Sequence, residues 1–209
     1  MSLAVWFSLL TASVVISFTP GAGAINTMSN AMNQGWRRSI WGIIGQQIAL
    51  VVHVAVVAAG VGLLVSQSEF LFNGIRYAGA AYLVFLGVRL ILTKPVVIVD
   101  DAPVPIDSRE SHWSMIRRGF WVNILNPKAI VFFLAFIPQF VRLDEPPLPQ
   151  YLSLLATVIV VDVAVMWGFF AAAARPFRRL TRTTSGQRVL NTVFGSLFIL
   201  VAAILVLLH

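Results

Sequence analysis

The sequence predicts an all-α membrane protein with six transmembrane helices, arranged in two inverted halves of three. Of the 209 residues, 58% are hydrophobic and only 11% are charged, whereas charged residues make up roughly 25% of a soluble domain. The chain contains six apolar segments, each close in length to the ~20 residues that a helix needs to cross a bilayer core. The first and fourth segments each contain a proline break. A proline break thus lies in the first segment of each set of three. Because three is an odd number of crossings, the second set has the opposite orientation in the membrane.

Polar or proline-rich connections separate the apolar segments. The segments cover residues 3–25, 40–65, 70–92, 119–141, 151–174 and 189–208. We interpret the chain as one transporter domain, with a first half over about residues 1–93, a cytoplasmic loop over 94–112 and a second half over about 113–209. Residues 1–16 contain no Lys or Arg. The first segment is therefore predicted to be a retained helix and not a signal peptide, which would begin with a basic region.

The basic residues predict the orientation of the chain. Twelve of the fifteen Lys and Arg residues lie in the first, third and fifth connections or at the adjoining helix ends. These are Arg37, Arg38, Arg89, Lys94, Arg109, Arg117, Arg118, Arg175, Arg178, Arg179, Arg182 and Arg188. Because basic loops stay in the cytoplasm, the odd-numbered connections are predicted inside and both termini outside. The net charge of +7 is thus a topology signal and does not indicate nucleic-acid binding.

The composition and motifs do not indicate an enzyme. The chain has no cysteine, which excludes disulfides and thiolate metal sites. It contains neither a His-Glu-x-x-His zinc helix nor a Gly-x-x-x-x-Gly-Lys phosphate loop. We therefore predict no enzyme activity, no metal site and no cofactor.

The first break lies in the stretch from Ser17 to Thr27. Pro20 has no N–H, so the carbonyl of Ile16 loses its helical partner, and Gly21 and Gly23 relax the backbone further. In hydrocarbon, freed carbonyls are tolerated only where protein or a water-filled cavity covers them. The break is therefore a candidate ligand site, with a simple proline kink as the alternative.

The second break, Asn123-Ile124-Leu125-Asn126-Pro127-Lys128-Ala129, interrupts the fourth segment in the same way. Paired broken helices in inverted repeats mark the central site of many secondary transporters. We expect the two breaks to meet near mid-membrane and to bind the substrate. The predicted substrate-binding residues are Thr19, Pro20, Gly21, Gly23, Asn26, Thr27, Asn123, Asn126, Pro127 and Lys128.

Asp162 is the one acidic residue central in any segment. Intramembrane acids are costly, usually face the bundle interior and are often functional. We expect Asp162 to carry the coupling proton, and His53 is the second candidate because histidine ordinarily titrates near neutral pH. The alternatives are a permanent ion pair between Asp162 and Lys128, and a hydrogen-bonded core histidine. Gln46 and Gln139 are candidate pore-lining residues.

Small residues in the segments are expected to allow close helix packing instead of binding a ligand. They are Gly42, Gly45, Gly60, Gly62, Gly74, Gly79, Gly87, Gly168 and the alanine run 171–174. Because small residues also favour contact between helices of two chains, a homodimer is one assembly that the sequence allows.

Three motifs carry a family resemblance: Phe18-Thr19-Pro20-Gly21-x-Gly23-Ala24-Ile25-Asn26-Thr27-Met28, Asn123-x-x-Asn126-Pro127-Lys128 and Phe136-x-Pro138-Gln139-Phe140. With them the chain resembles the RhtB branch of the LysE exporter superfamily, and most of all its homoserine/homoserine lactone efflux members. The resemblance implies efflux of small neutral amino acids, such as homoserine, its lactone or threonine, through the bacterial inner membrane by proton antiport. The alternatives are a metal-ion or other small-solute exporter of the same superfamily, an intramembrane enzyme and a non-transporting membrane assembly partner.

Overall fold

A computed structural model describes residues 3–19, 21–65, 69–94, 109–142, 145–176 and 183–207, and regular structure in these ranges is helical throughout. The helices are α1 (Leu3–Phe18), α2 (Ala22–Gln34), α3 (Ile40–Val65), α4 (Glu69–Leu92), α5 (His112–Ile124), α6 (Pro127–Phe136), α7 (Pro147–Val163) and α8 (Thr184–Leu207). Short 3₁₀ turns cover Arg37–Ser39 and Ile137–Phe140, and a π-helical segment, Ala164–Ala171, continues α7. The predicted all-α class is confirmed.

Both predicted breaks are sharp bends between two half-helices. The axes of α1 and α2 differ by 58°, and those of α5 and α6 by 59°. Among the described residues, three helices are long and apolar enough to cross a membrane, or up to five spans if each bent pair counts as one. The helix α4 is of similar length, with 24 residues, but carries Arg76 and Arg89. The count of six and the inversion of the halves stay predictions.

The half-helices are longer than the apolar segments indicated. The helix α2 continues to Gln34, beyond the predicted segment end at residue 25, because its polar residues Asn26, Thr27 and Asn30 are buried against neighbouring helices. The helix α5 begins at His112 and not near residue 119, since Ser111 caps its first turn by accepting from the Ser114 amide at 3.1 Å. Of the predicted loop 94–112, residues 95–108 lie outside the described ranges.

The helices α3 and α5 cross with their backbones in contact. A Cβ atom on Gly45 would lie 1.9 Å from the carbonyl oxygen of Ile116, and one on Gly119 would lie 2.0 Å from that of Gly42. The helices α4 and α8 approach similarly, since a Cβ on Gly87 would lie 2.6 Å from the Gly195 carbonyl oxygen. The predicted packing role of small residues is confirmed at these crossings.

Three of the glycines predicted to pack closely do not do so. No described atom lies within 4 Å of a Cβ built on Gly60, Gly74 or Gly168. The prediction was wrong for them because composition does not reveal which face of a helix a residue occupies. For Gly62, the side-chain surroundings lie outside what the structure describes.

Two apolar clusters hold the half-helices in place. The larger joins α1, α3, α4, α6, α7 and α8, with Leu83, Phe136 and Leu205 among its fully buried members. The smaller joins α2 and α3 to the π-helical segment around Ala24, Ile43 and Phe170. Parts of both clusters border the region where the two breaks meet.

Candidate functional site at the two helix breaks

The two breaks meet, as predicted, around one cavity of about 50 Å³. A cavity of this volume has room for a few water molecules. Its polar lining comes from α1, α3, α5, α6 and α7 and from the residue that precedes α6: Ser17, Gln46, Asn123, Asn126, Lys128 and Asp162. Gly21 and Gly23 also line it. Residues from both halves of the chain therefore share one polar cavity.

Lys128, in the first turn of α6, reaches across to the end of α1. Its Nζ donates to the carbonyl oxygen of Ile16 at 2.9 Å and also to that of Thr19. The Ile16 carbonyl is the one that the sequence predicts to be freed by Pro20, which itself lies outside the described residues. A positive charge at the C-terminal end of a helix is favourable, because the helix dipole is negative there. The lysine thus stabilises the broken end of α1.

Asp162 joins three helices through its carboxylate. The oxygen Oδ1 accepts from Ser17 Oγ of α1 at 3.1 Å, and Oδ2 accepts from Gln47 Nε2 of α3 at 2.7 Å. Asp162 and Lys128 line the same cavity and attract each other through their opposite charges. Their hydrogen bonds go to different partners, so this arrangement differs from the simple ion pair that the sequence left open.

The residues before α6 form a cap that links the second break to α3. Asn126 Oδ1 accepts from the Lys128 amide at 3.1 Å, and Pro127 occupies the first helical position, where no N–H is needed. Asn123 Nδ2 donates to the Gln46 carbonyl at 2.9 Å. The carbonyl of Asn123, four residues before Pro127, has no helical N–H partner there and accepts from the Asn126 amide at 3.0 Å.

Gln46 joins α3 to the second half-helix of the first break. Its Nε2 donates to the Gly23 carbonyl and to Thr27 Oγ1, both at 3.1 Å. A Cβ on Gly23 would lie 3.0 Å from Gln46 Oε1, and one on Gly21 would lie 3.3 Å from Lys128 Cδ. Glycine at these two positions therefore leaves room for the glutamine and the lysine.

Several predicted site residues lie outside the cavity lining. Asn26 accepts from Arg118 Nε at 3.3 Å. The hydroxyl of Thr19 donates back to the Val15 carbonyl at 2.8 Å. His53 Nε2 lies 3.3 Å from the Ile124 carbonyl oxygen. Gln139 donates to the Ala135 carbonyl at 2.7 Å, within its own segment, and its pore-lining position stays a prediction.

Sequence reasoning missed Ser17 and Gln47, the two hydrogen-bond partners of Asp162. Ser17 directly precedes the first break, and Gln47 follows Gln46 in an apolar segment. The place of Gln47 within an apolar segment is the signal that indicates its role, because a polar side chain buried in a membrane span needs a partner on another helix. Adjacent helical residues point about 100° apart, so Gln46 and Gln47 serve different neighbours.

A second polar cluster, also missed, lies between α5 and α2, around Arg118. Arg118 donates to Asn26 and Asn30 of α2 and forms an ion pair with Glu110 at 2.8 Å. Arg38 donates to the Glu110 carbonyl at 2.6 Å. Within the described ranges, no group of three or more His, Cys, Asp or Glu residues is arranged to hold a metal ion.

Comparison with known proteins places these features in a family. The LysE type translocator family matches residues 14–209. A homoserine/homoserine lactone efflux protein of Salmonella typhimurium is 38% identical over 200 residues, which cover 96% of this chain and 95% of that protein. An uncharacterized membrane protein of Vibrio cholerae is 37% identical, covering 95% of this chain and 94% of that protein. A leucine efflux protein of Salmonella choleraesuis is 25% identical, covering 95% and 92%. No solved structure matches.

The family match extends over both breaks and the whole cavity. It confirms the resemblance drawn from the three motifs, and it makes the protein a membrane transporter and not an enzyme. The chain belongs to the LysE family of translocators.

Proposed function

We propose that the protein exports small neutral amino acids, namely homoserine, its lactone and threonine, across the bacterial inner membrane in exchange for protons. The observation that carries the proposal is the cavity at the two breaks, where Lys128 and Asp162 bring opposite charges to the ends of half-helices. The printed names of the relatives, homoserine/homoserine lactone efflux protein and leucine efflux protein, support amino acids as the cargo.

The half-helix ends suit a zwitterion. The C-terminal end of α1 presents carbonyl oxygens, which attract an ammonium group. The N-terminal end of α6, capped by Asn126, is the positive end of its dipole and favours a carboxylate. Both ends border the same cavity, so one amino acid can meet both charges.

Coupling to protons requires a buried group that can be both charged and neutral. Asp162 is our first candidate, because its carboxylate faces the cavity and is held by Ser17 and Gln47. His53 is the second; its ring stacks on Phe133 with centroids 5.7 Å apart, behind the second break. Protons would bind from the outer side of the membrane and be released to the cytoplasm as the amino acid moves outward.

Efflux from proteoliposomes tests the proposal. The purified chain is reconstituted with radiolabelled homoserine inside, and efflux is followed with the outside more acidic than, or equal in pH to, the inside. We expect faster efflux with the acidic outside, and a protonophore should remove the acceleration. Parallel vesicles are loaded with threonine or Mn²⁺, and protein-free vesicles are the control. Homoserine efflux equal to that of protein-free vesicles would contradict amino-acid export, and Mn²⁺ efflux alone would favour the metal-ion alternative.

A further inference from the structure

The ammonium group of Lys128 sits in a cradle made by another part of the chain. The cradle consists of the carbonyl oxygens of Ile16 and Thr19 at the end of α1, which lie 112 and 109 residues away in sequence. The cavity that Lys128 lines also contains the carboxylate of Asp162, which favours a positive charge nearby. The two carbonyls at the C-terminal end of α1 and the nearby carboxylate together define a cation site, which an ammonium occupies in this structure.

The chemistry of this cradle is not specific to a lysine side chain. A lysine ammonium offers three N–H donors on a single nitrogen, and the α-ammonium of an amino acid offers the same three donors at the same charge. The cradle does not favour both groups at once, since two ammonium charges beside the same two carbonyls would repel each other. An amino acid whose ammonium binds here must therefore move the lysine.

We propose that this cradle is the ammonium subsite for the transported amino acid, and that Lys128 is a tethered competitor for it. The cargo ammonium displaces Lys128 Nζ from Ile16 and Thr19, and the lysine returns as the cargo leaves. The inference rests on the proposed amino-acid export. It also gives Lys128, which the sequence predicts to bind the substrate, a competing role at the ammonium end of the cargo.

The surroundings of Lys128 allow such an exchange. The Lys128 side chain passes Gly21, where a Cβ would lie 3.3 Å from Lys128 Cδ. Because glycine has no side chain, the methylene groups of the lysine have room to move at this point. The ring centre of Phe198 lies 5.8 Å from Nζ, and its face offers a displaced ammonium a cation–π contact. The cavity then keeps an ammonium beside Asp162 in every step, which avoids an unpaired buried carboxylate.

Binding of methylammonium, a small ammonium ion, tests whether Lys128 competes for the two carbonyls. Lys128 and Lys94 are the two lysines of the chain, and Lys94 lies exposed near the end of α4, so Lys94→Met is a matched control for Lys128→Met. The full chain and both variants are unfolded thermally in detergent with methylammonium chloride, or with tetramethylammonium chloride, which cannot donate. A ligand that binds the native state raises the unfolding temperature, and at a fixed ligand concentration the rise increases with the logarithm of its affinity.

We expect methylammonium to bind Lys128→Met at least about tenfold more tightly than it binds the unchanged chain or Lys94→Met, since a tethered competitor acts at an effective concentration of the order of millimolar. Tetramethylammonium should leave all three unchanged. Equal effects of methylammonium on all three proteins would overturn the proposal.

A second measurement does not depend on the folding of Lys128→Met. In the Lys94→Met chain labelled with ¹⁵N-lysine, Lys128 supplies the one lysine side-chain resonance. Homoserine should shift this resonance, whereas N-acetylhomoserine, which keeps the carboxylate but has no ammonium, should not. A shift with both compounds, or with neither, would contradict displacement by the cargo ammonium. Neither binding test requires export, so a failure of the efflux assay would affect the proposed function separately.

Discussion

Asp162 combines an ionisable carboxylate with two hydrogen-bond donors, Ser17 and Gln47, on different helices. Replacing it with asparagine keeps its shape and an acceptor oxygen but removes the transferable charge. If Asp162 carries the proton, Asp162→Asn should lose the acceleration of efflux by an acidic outside, while exchange of homoserine across the membrane continues. The measurement is the ratio of efflux rates with and without the pH gradient.

The control for Asp162→Asn is Ser17→Ala, which removes one hydrogen bond and keeps the acid. We expect this variant to slow efflux while retaining the response to the gradient. If Asp162→Asn still concentrates homoserine in response to a proton gradient, Asp162 is not the coupling group, and His53 becomes the first candidate.

Asn126 has two roles that different substitutions separate. As the N-cap of α6 it accepts from the Lys128 amide, and replacing such a cap with alanine costs about 1 kcal/mol of stability. Its side chain also lines the cavity. We expect Asn126→Ala to reduce export while insertion into the membrane stays intact. Asn126→Ser, which preserves the cap, should restore stability but not export, as measured by thermal unfolding and efflux.

The matched control for Asn126→Ala is Asn191→Ala. Asn191 lies in the first half of α8, where its side chain donates to one backbone carbonyl, that of Thr93 at 3.3 Å, and it does not line the cavity. Export by Asn191→Ala should match the unchanged chain. Full export by Asn126→Ala at a normal protein level would count against a substrate-binding role.

At the scale of the elements, the crossing of α3 and α5 sets the position of the second break. Because a Cβ on Gly119 would lie 2.0 Å from the Gly42 carbonyl oxygen, the obstacle is backbone, which cannot rotate away. We expect Gly119→Ala to destabilise the protein by about 1–3 kcal/mol, as overpacking does. The measurement is the thermal unfolding midpoint in detergent.

The same substitution at Gly60 is the control for Gly119→Ala. Gly60 is also helical, but no described atom lies within 4 Å of a Cβ built there. Alanine favours a helix over glycine by about 1 kcal/mol, so Gly60→Ala should leave the midpoint unchanged or raise it. An equal loss of stability in both variants would show that the close crossing is not the cause.

For the whole molecule, orientation in the membrane is a prediction from the basic residues. Arg178, Arg179, Arg182 and both chain ends lie outside the described ranges, but single cysteines test the prediction directly, because the chain has none of its own. In intact cells, an impermeant maleimide should label Leu148→Cys, in the fourth connection, and not Lys94→Cys, in the third. Lys94→Cys should react only after the membrane is opened. Labelling of Lys94→Cys in intact cells would reverse the predicted topology.

The sequence by itself determined the helical membrane class, both breaks and most of the residues around them. These follow from local chemistry: proline removes an N–H wherever it stands, and an acid such as Asp162 in an apolar span must face the interior. Segment ends were less accurate, because the polar α2 is helical through burial against other helices and not through its own hydropathy.

Only the tertiary structure decided which groups meet. Lys128 binds the carbonyls of α1, and Gln47 binds Asp162 across 115 residues. Such pairings depend on how each helix is rotated about its axis and where α3 and α5 cross, and a one-residue change in rotation turns a side chain by about 100°. A polar residue within an apolar segment therefore predicts that a partner exists. Which residue is that partner depends on how the helices pack.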